Sequence, residues 1–236
     1  MTATRLIAGA SGYSYKEWQG TFYPDKIKPD AMLAWYAERL PTVEINNTFY
    51  RMPKPAVLEN WARCTPAQFR FAIKASRRIT HDARIKADAA DSVAYLYRML
   101  ASLGDKLGAV LFQLPPNLKK DIARLDAFLK MLPADHRAAI EFRNASWFDA
   151  DVYALLRAAG AALVLSERED NAPPPLVETA PWGYLRFRLE NYGAEDLQRW
   201  SDRIAPTAWA EAYAYFMHEP TAPGYARTLL DCAKPA

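Results

Sequence analysis

The chain has 236 residues, of which 51% are hydrophobic, 13% aromatic and 24% charged. This composition is typical of a folded domain with a large core, and it excludes collagen-like and intrinsically disordered chains. At this length one domain buries roughly 70–75% of the surface that its unfolded chain exposes, so stability requires neither disulfides nor a structural metal. The formal net charge of +3 does not by itself indicate nucleic-acid binding.

Two features of the sequence predict a cytoplasmic protein without membrane contact. The longest stretch free of Asp, Glu, Lys and Arg, residues 107–118, has twelve residues, whereas a membrane span needs about twenty apolar ones. The first residues lack the charged and then apolar leader that directs export. Cys64 and Cys232 belong to no ligand-spaced motif, so we expect neither a disulfide nor a zinc knuckle. The sequence predicts no bound cofactor.

Short runs rich in branched and aromatic residues recur along the chain and predict eight β-strands. In chain order they are 6–11, 43–49, 69–75, 109–114, 138–143, 162–167, 183–188 and 212–217. Between most of them, apolar residues spaced by three and four predict helices. The longest such stripe runs from Val93 to Leu103 and is followed by Gly104, which suits a helix end. The sixth connection, 170–181, contains three consecutive prolines and cannot form a regular helix.

Eight strands with crossovers, in a chain just under the typical ~250 residues, predict one compact (β/α)8 barrel of the TIM type over residues 1–236. An open doubly wound sheet is the alternative. Against it, the segment Gly9–Gly12 after the first residues of strand one lacks the third glycine of a dinucleotide-binding fingerprint.

Polar residues follow a regular alternation within the predicted strands. In a barrel, alternate residues face inward and chemistry gathers at the carboxyl ends of the strands. Apolar Val43 and Ile45 suit the helix-facing side, which turns Glu44, Asn46 and Thr48 inward. The same reasoning along the other strands gives the inward set of charged and amide side chains: Glu44, Asn46, Lys74, Gln113, Glu141, Arg143, Arg186 and Arg188.

Two interpretations fit this inward set, because a charge inside a sheet costs several kcal/mol unless it is paired. The first is a self-satisfied polar plug, in which basic side chains neutralise Glu44 and Glu141. The second is a ligand pocket, because two acids against four bases leave a charge of +2 at the barrel mouth. A small anionic or polyhydroxy ligand would complete that pairing.

Within such a pocket, Glu44 and Glu141 lie on strands three apart and are candidates for a general acid and base. Lys74 would need a depressed pKa to form a Schiff base, and we expect the neighbouring carboxylates to raise it, which favours an electrostatic role. His81 and His218 follow strands three and eight, where a proton shuttle or an ordinary surface histidine can lie. With three scattered histidines, no metal site is expected.

Aromatic residues and a basic segment collect near the same end of the predicted barrel. Tyr13 and Trp147 are the candidates for stacking on a sugar or a base. Between Lys74 and Lys86 five basic residues face the single acid Asp82, a local charge of +4. That segment fits either a solvated basic face or a nucleic-acid surface.

Several motifs together resemble a known family. They are GYSYKEW (12–18), TVEINNTFYR (42–51), FRFAIK (69–74), RITH (78–81), LFQLPP (111–116) and EFR (141–143) with SWF (146–148). Along essentially the whole chain, they resemble the YecE-like family, also called domain of unknown function 72. The resemblance implies a TIM-like barrel placed loosely with the sugar-isomerase-like barrels, and no established activity.

The residues that the resemblance carries over are Glu44, Asn46, Lys74, His81, Gln113, Glu141, Arg143 and Trp147. Most of them coincide with the inward set, which favours a site over a plug. The last third departs from the family pattern, since Arg186-Phe187-Arg188 stands where many members have Arg-x-His-Gly, and Met217-His218-Glu219 ends strand eight. Roles for Arg186 and His218 therefore depend on their predicted position alone.

The sequence predicts an enzyme acting on a small anionic or sugar-like molecule, with or without a phosphate. Glu44 and Glu141 are the acid/base candidates, and Lys74, Arg143 and Arg186 are expected to bind the anionic group. Two alternatives stay open: a nucleic-acid or nucleotide-binding protein, and a non-catalytic metabolite-binding protein. The oligomeric state does not follow from the sequence.

Overall fold

Eight parallel strands form a closed barrel in the computed structural model, which describes residues 4–167, 175–217 and 220–234. The strands are β1 (Arg5–Ser11), β2 (Thr42–Ile45), β3 (Arg70–Lys74), β4 (Leu107–Gln113), β5 (Ala138–Glu141), β6 (Ala162–Ser166), β7 (Trp182–Phe187) and β8 (Glu211–Phe216). Neighbours in sequence are neighbours in the sheet, and β8 pairs with β1 to close it. The predicted (β/α)8 barrel is confirmed.

Helices cover the outside of the barrel. They are α1 (Met32–Ala37), α2 (Pro55–Arg63), α3 (Ala90–Leu100), α4 (Ile122–Leu129), α5 (Ala150–Ala158), α6 (Ala194–Ile204) and α7 (Ala222–Cys232). The predicted stripe on α3 is buried against the barrel, and Gly104, at φ +53°, forms a kink inside the 3₁₀ segment Ala101–Lys106 that follows it. Of the proline-rich sixth connection, the described residues 175–181 contain no helix, and Pro173 and Pro174 lie outside the described residues. None of the helices in the described ranges is long and apolar enough to cross a membrane.

Strand β2 is shorter than its sequence predicts. It ends at Ile45 instead of Phe49, and Asn47–Phe49 form a 3₁₀ turn. The physical reason lies in Thr48, whose hydroxyl donates to the carbonyl oxygens of Ile45 (3.1 Å) and Lys74 (2.7 Å) and so ties the turn to the end of β3. Thr48 therefore does not face into the barrel, and the turn brings the ring of Phe49 to 4.4 Å from Lys74 Nζ.

The barrel interior follows the predicted alternation. Val43 and Ile45 belong to the core between strands and helices. The inward positions below the carboxyl ends are filled by a second, separate apolar cluster: Ile7, Ala72, Ala109, Leu111, Ala139, Ala162, Val164, Trp182, Tyr184, Tyr213 and Tyr215. All of these side chains are buried, so they separate the polar groups at the carboxyl ends from those at the amino ends, such as the Arg137–Glu211 ion pair.

Strands β1 and β2 are joined partly through a side chain. Tyr36 of α1 inserts its hydroxyl between them, where it accepts from the Ala10 amide (2.8 Å) and donates to the Thr42 carbonyl (2.9 Å). Gly9 pairs with Thr42, and a Cβ at Gly9 would lie 2.0 Å from the Thr42 carbonyl oxygen. The glycine therefore permits the close approach that sets the position of β2 and of Glu44.

Candidate functional site at the carboxyl ends of the strands

The floor of the site is an ion-paired triad from three strands. Glu44 (β2), Glu141 (β5) and Arg186 (β7) have side chains that are 0%, 0% and 1% exposed. Arg186 Nη2 lies 2.8 Å from Glu44 Oε1, and Arg186 Nη1 lies 2.6 Å from Glu141 Oε2. One guanidinium thus bridges both carboxylates, and the triad carries a formal charge of −1.

Neutral donors complete much of the bonding to the two carboxylates. Glu44 accepts hydrogen bonds from Ser11 Oγ (3.0 Å), Asn46 Nδ2 (3.0 Å) and Tyr184 Oη (2.7 Å). Glu141 accepts one from Gln113 Nε2 (2.9 Å). Several donors of this kind favour the charged form of a carboxylate.

The surroundings keep both glutamates ionised. Burial acts to raise the pKa of Glu44, but Arg186 and the hydrogen-bond donors outweigh it and lower that pKa below its usual range. For Glu141, burial is outweighed by Arg186 and Arg188, which bring the pKa to about 2. A buried carboxylate with such a pKa holds no proton near neutral pH. The structure therefore does not support the predicted roles of Glu44 and Glu141 as an acid–base pair.

Above the floor lies a half-buried rim of basic side chains, which we call the cationic rim: Lys74, His81, Arg143 and Arg188. Lys74 Nζ donates to Gln113 Oε1 at 3.0 Å, so Gln113 links the rim to Glu141. Arg188 Nε donates to Ser166 Oγ at 3.0 Å, and its Nη2 forms an ion pair with Glu141 Oε1 at 3.5 Å.

The pKa of Lys74 is lowered to about 8. Burial is the largest cause and the charge of Arg186 the next, and together they outweigh the opposing effect of Glu141 and Glu44. The expected net rise in the pKa of Lys74 is therefore wrong: the carboxylates do act to raise it, but burial and Arg186 outweigh them. Arg186 bridges both carboxylates, and the amine bonds to a carboxamide instead.

His81 follows β3 and lies close enough to Lys74 for the charge of the amine to act on it. Its Nδ1 is hydrogen-bonded to Thr80 Oγ1 (2.9 Å), and its ring meets Phe49 edge to face with centroids 4.9 Å apart. Burial and the charge of Lys74, with smaller effects from Arg77 and Arg143, lower the pKa of His81. The imidazole is therefore neutral at neutral pH and adds a proton acceptor to the rim.

The structure does not bring Trp147 into the site. Its ring is fully buried, stacks on Phe142 with centroids 4.7 Å apart, and its Nε1 donates to the Leu118 carbonyl at 2.7 Å. The prediction that Trp147 stacks on a ligand is therefore wrong for this packing. His218 lies outside the described residues.

Tyr13 is half-buried and lines a separate cavity of about 270 Å³ between the ends of β1 and β2. Its ring meets Trp61 edge to face. Ser11 and Asn46 line the same cavity, and both donate hydrogen bonds to Glu44. The cavity is thus a direct neighbour of the triad.

Several buried polar atoms at the site have no hydrogen-bond partner among the described residues, including Asn46 Oδ1, Glu141 Oε1 and Arg186 Nε. Buried polar atoms in proteins are rarely left in this way. Arg186 pairs with both carboxylates of the triad, as the plug interpretation predicts. The rim carries the excess of positive charge on which the pocket interpretation depends.

Ser11, Ser166 and Tyr184 also contact the site, and none of them is among the residues predicted above. Tyr184 stands two residues before Arg186 on β7, and Ser166 pairs with Arg186 in the sheet register. The alternation along the strands therefore could have identified both as inward-facing residues. Within the described ranges no cluster of three or more His, Cys, Asp or Glu side chains is placed to hold a metal ion, and Cys64 and Cys232 are free thiols.

Fold and site together define a (β/α)8 barrel protein with a buried Glu–Arg–Glu triad and a cationic rim at the carboxyl ends of its strands. The sequence model of the family described as "Protein of unknown function DUF72" matches residues 7–235. The chain belongs to this family.

Two curated relatives are similar over parts of the chain. The UPF0759 protein YunF of Bacillus subtilis (strain 168) is 31% identical over 140 residues, which are 56% of this chain and 50% of YunF. The UPF0759 protein YecE of Escherichia coli (strain K12) is 31% identical over 114 residues, 48% of this chain and 42% of YecE. The chain spans about half the length of the curated relatives it matches.

Solved structures of the same family share the fold. A DUF72 family protein from Thermotoga maritima superposes with a TM-score of 0.79 at 24% identity, covering 95% of this chain and 96% of the other. A DUF72 family protein from Enterococcus faecalis V583 gives 0.78 at 18% identity, covering 98% and 96%. These likenesses support the barrel architecture.

Proposed function

We propose that the protein is an enzyme that binds a small anionic, polyhydroxy molecule at the cationic rim. The amine of Lys74 is its general acid or base and exchanges a proton with the bound molecule. The observation that carries this proposal is the setting of the Lys74 amine. It lies at the carboxyl end of β3, 3.0 Å from an amide oxygen, directly above a triad that fixes two carboxylates in their ionised form.

Charge favours an anionic ligand. The triad sums to −1, and Lys74, Arg143 and Arg188 add +3, so the site as a whole is +2 when the amine is protonated. Guanidinium groups bind phosphate and carboxylate groups in matching geometry and form the stronger class of hydrogen bond with them. Arg188, half-buried and at the mouth, is the side chain best placed to bind such a group.

Lys74, and not a glutamate, has the proton affinity that acid–base catalysis requires. A general acid or base works best when its pKa lies near the working pH. The pKa of Lys74, about 8, meets that condition, whereas the pKa of Glu141, about 2, does not. Neutral His81 beside it supplies a second proton acceptor.

Hydroxyl groups on the ligand fit the cavity beside the triad. The cavity is about 270 Å³ and is lined by Tyr13 and Asn46, and Asn46 Oδ1 has no donor among the described residues. Hydroxyls donate to such acceptors, and aromatic rings such as that of Tyr13 pack against sugar faces. These features support a sugar-like ligand over a simple inorganic anion.

The test uses glycerol 3-phosphate and uncharged glycerol as probes, measured by calorimetric titration. We expect glycerol 3-phosphate to bind, glycerol to bind far more weakly, and Arg188→Gln to weaken glycerol 3-phosphate binding at least about tenfold, because a charged hydrogen bond contributes roughly 1.5–3 kcal/mol. Arg63→Gln, at the exposed end of α2, is the control and should bind normally. Equal binding by the Arg188 and Arg63 variants would contradict the proposal. Binding without turnover of any related compound would favour the non-catalytic alternative.

One specific observation favours nucleic-acid binding as a second candidate function. Tyr50 and Tyr95, 77% and 44% exposed, flank a groove of about 380 Å³ that also contains Arg51 and Arg78. Exposed aromatic rings beside guanidinium groups are features by which proteins bind single-stranded nucleic acids. In this candidate function they take the place of Trp147, which is buried. Salt-sensitive binding of a fluorescent oligonucleotide that is lost in Tyr50→Ala would support this candidate.

A further inference from the structure

We propose, on the basis of the function just given, that Lys74 is also a nucleophile: its amine adds to the carbonyl carbon of a bound anionic aldehyde or ketone and forms an imine. This names the substrate class as a small oxo compound that carries a phosphate or carboxylate group. It also gives the barrel a covalent step that a purely electrostatic lysine would not perform.

Among the described residues, the amine of Lys74 contacts neutral groups and forms no ion pair. Nζ donates to the neutral carboxamide oxygen of Gln113 and lies 4.4 Å from the centre of the Phe49 ring. In the part of the chain that the structure describes, no carboxylate forms an ion pair with it, since Arg186 bridges Glu44 and Glu141. The attacking atom is therefore not held by an anion.

The backbone of Lys74 is fixed while its amine is placed at the mouth. Lys74 is the last residue of β3, and the Thr48 hydroxyl donates to its carbonyl oxygen at 2.7 Å. The neighbouring positions on the strand are buried in the barrel wall. A half-buried amine on a rigid strand end can be approached by a ligand from only the open side.

Neighbouring cations favour the neutral, reactive form of the amine. Arg186 and Arg188 both repel a charge on Nζ, and lysines beside another cation, or partly desolvated, are the ones activated as nucleophiles. With a pKa of about 8, about one-tenth of the amine is neutral at pH 7, against less than a thousandth for an ordinary lysine.

The step balances without an oxidant or a reductant. The nitrogen lone pair attacks the carbonyl carbon, the C=O π electrons move to oxygen, and one N–H proton is transferred to that oxygen to give a carbinolamine. The C–O bond then breaks, and the oxygen leaves as water after taking up a second proton. When that proton comes from solvent, the product is a protonated imine at Nζ; loss of the remaining N–H proton to solvent gives the neutral imine.

The experiment traps the imine by reduction. The full chain is incubated with glycolaldehyde phosphate and sodium cyanoborohydride, and the modified lysines are located by peptide mass spectrometry. We expect Lys74 to be labelled at least about tenfold faster than Lys106 in the same sample, because the guanidinium groups of the rim bind the phosphate. Lys106 is the internal control, since burial also lowers its pKa but it lies against the main-chain carbonyls of Ala62 and Thr65, outside the site.

Three further arms make the result specific. Uncharged glycolaldehyde should lose most of the preference for Lys74, Arg188→Gln should slow labelling of Lys74 with the amine still present, and Lys74→Arg should abolish the adduct at position 74. Labelling spread over surface lysines without preference for Lys74 would overturn the proposal. If glycerol 3-phosphate, which has no carbonyl, still binds in an Arg188-dependent way, only the imine is refuted; if it does not bind either, the proposed function falls as well.

Discussion

Arg186 is the residue on which the charge state of the site depends. Its guanidinium bonds to Glu44 and Glu141 at 2.8 and 2.6 Å, which favours the ionised form of both carboxylates. Its charge also adds to the effect of burial in lowering the pKa of Lys74. For these reasons we propose the amine of Lys74, and not a glutamate, as the group that exchanges a proton.

Glu141 should make the protein sensitive to acid. Its pKa is about 2 in the folded state against an ordinary value of 4.5, so between these values the unfolded chain binds the proton that the folded chain excludes. The stabilisation from Glu141 is present above about pH 4.5 and is lost as the pH falls towards about 2. We expect Glu141→Gln to cost about 3 kcal/mol at neutral pH, because Arg186 loses a charged partner, and to flatten the fall in stability between these pH values.

Chemical denaturation followed across this pH range measures both effects. Glu59→Gln, which removes an exposed carboxylate from α2, is the matched control and should change the free energy of unfolding by less than about 0.5 kcal/mol. An unchanged slope in Glu141→Gln would show that the triad does not lower the pKa of this carboxyl.

At the scale of elements, the junction of β1 and β2 positions Glu44. Gly9→Ala would place a Cβ 2.0 Å from the Thr42 carbonyl oxygen, so the two strands must separate. We expect a loss of about 1–3 kcal/mol, the usual cost of overpacking, together with weaker glycerol 3-phosphate binding because Glu44 shifts with β2.

Thermal unfolding of the glycine variants checks this expectation. Gly224→Ala is the control, because a Cβ at this position in α7 meets nothing within 4 Å and alanine favours a helix. That variant should be at least as stable as the parent. A Gly9→Ala protein of parental stability would contradict the role given to the strand junction.

The elements show what sequence could and could not predict. Alternation placed Glu44, Lys74 and Arg186 inward, because a period of two is a local property of a strand. The end of β2 was missed, since the Thr48 hydroxyl bonds to Lys74, which is distant in sequence. The prediction for Trp147 is wrong for a related reason. Its burial depends on contacts with Phe142 and Leu118, and a sequence motif does not show which side chains pack together.

The sign of the Lys74 pKa shift was also beyond the sequence. Two glutamates and several basic residues face inward, and composition alone does not say which charges pair. Only the geometry shows that Arg186 binds both carboxylates while Lys74 bonds to Gln113. The number of charged residues is therefore not enough to predict which side chain can exchange a proton; it must also be known which of them form ion pairs.

For the whole molecule, most of the net charge of +3 can be assigned to one site. The site accounts for +2 when Lys74 is protonated, at the end of the barrel where (β/α)8 enzymes carry out their chemistry. The middle of the interior is filled by apolar and aromatic side chains. At the opposite end, Arg137 and Arg5 form ion pairs with Glu211, the first residue of β8.

The central claim is that this end of the barrel binds a small anionic molecule through its cationic rim, and locating a bound molecule tests it most directly. The measurement is a crystal structure with glycerol 3-phosphate. We expect the phosphate within hydrogen-bonding distance of Arg188 and close to Lys74 Nζ, with the triad unchanged beneath it. A phosphate bound instead in the groove of Tyr50 and Arg78, or density at neither place under saturating ligand, would contradict the account.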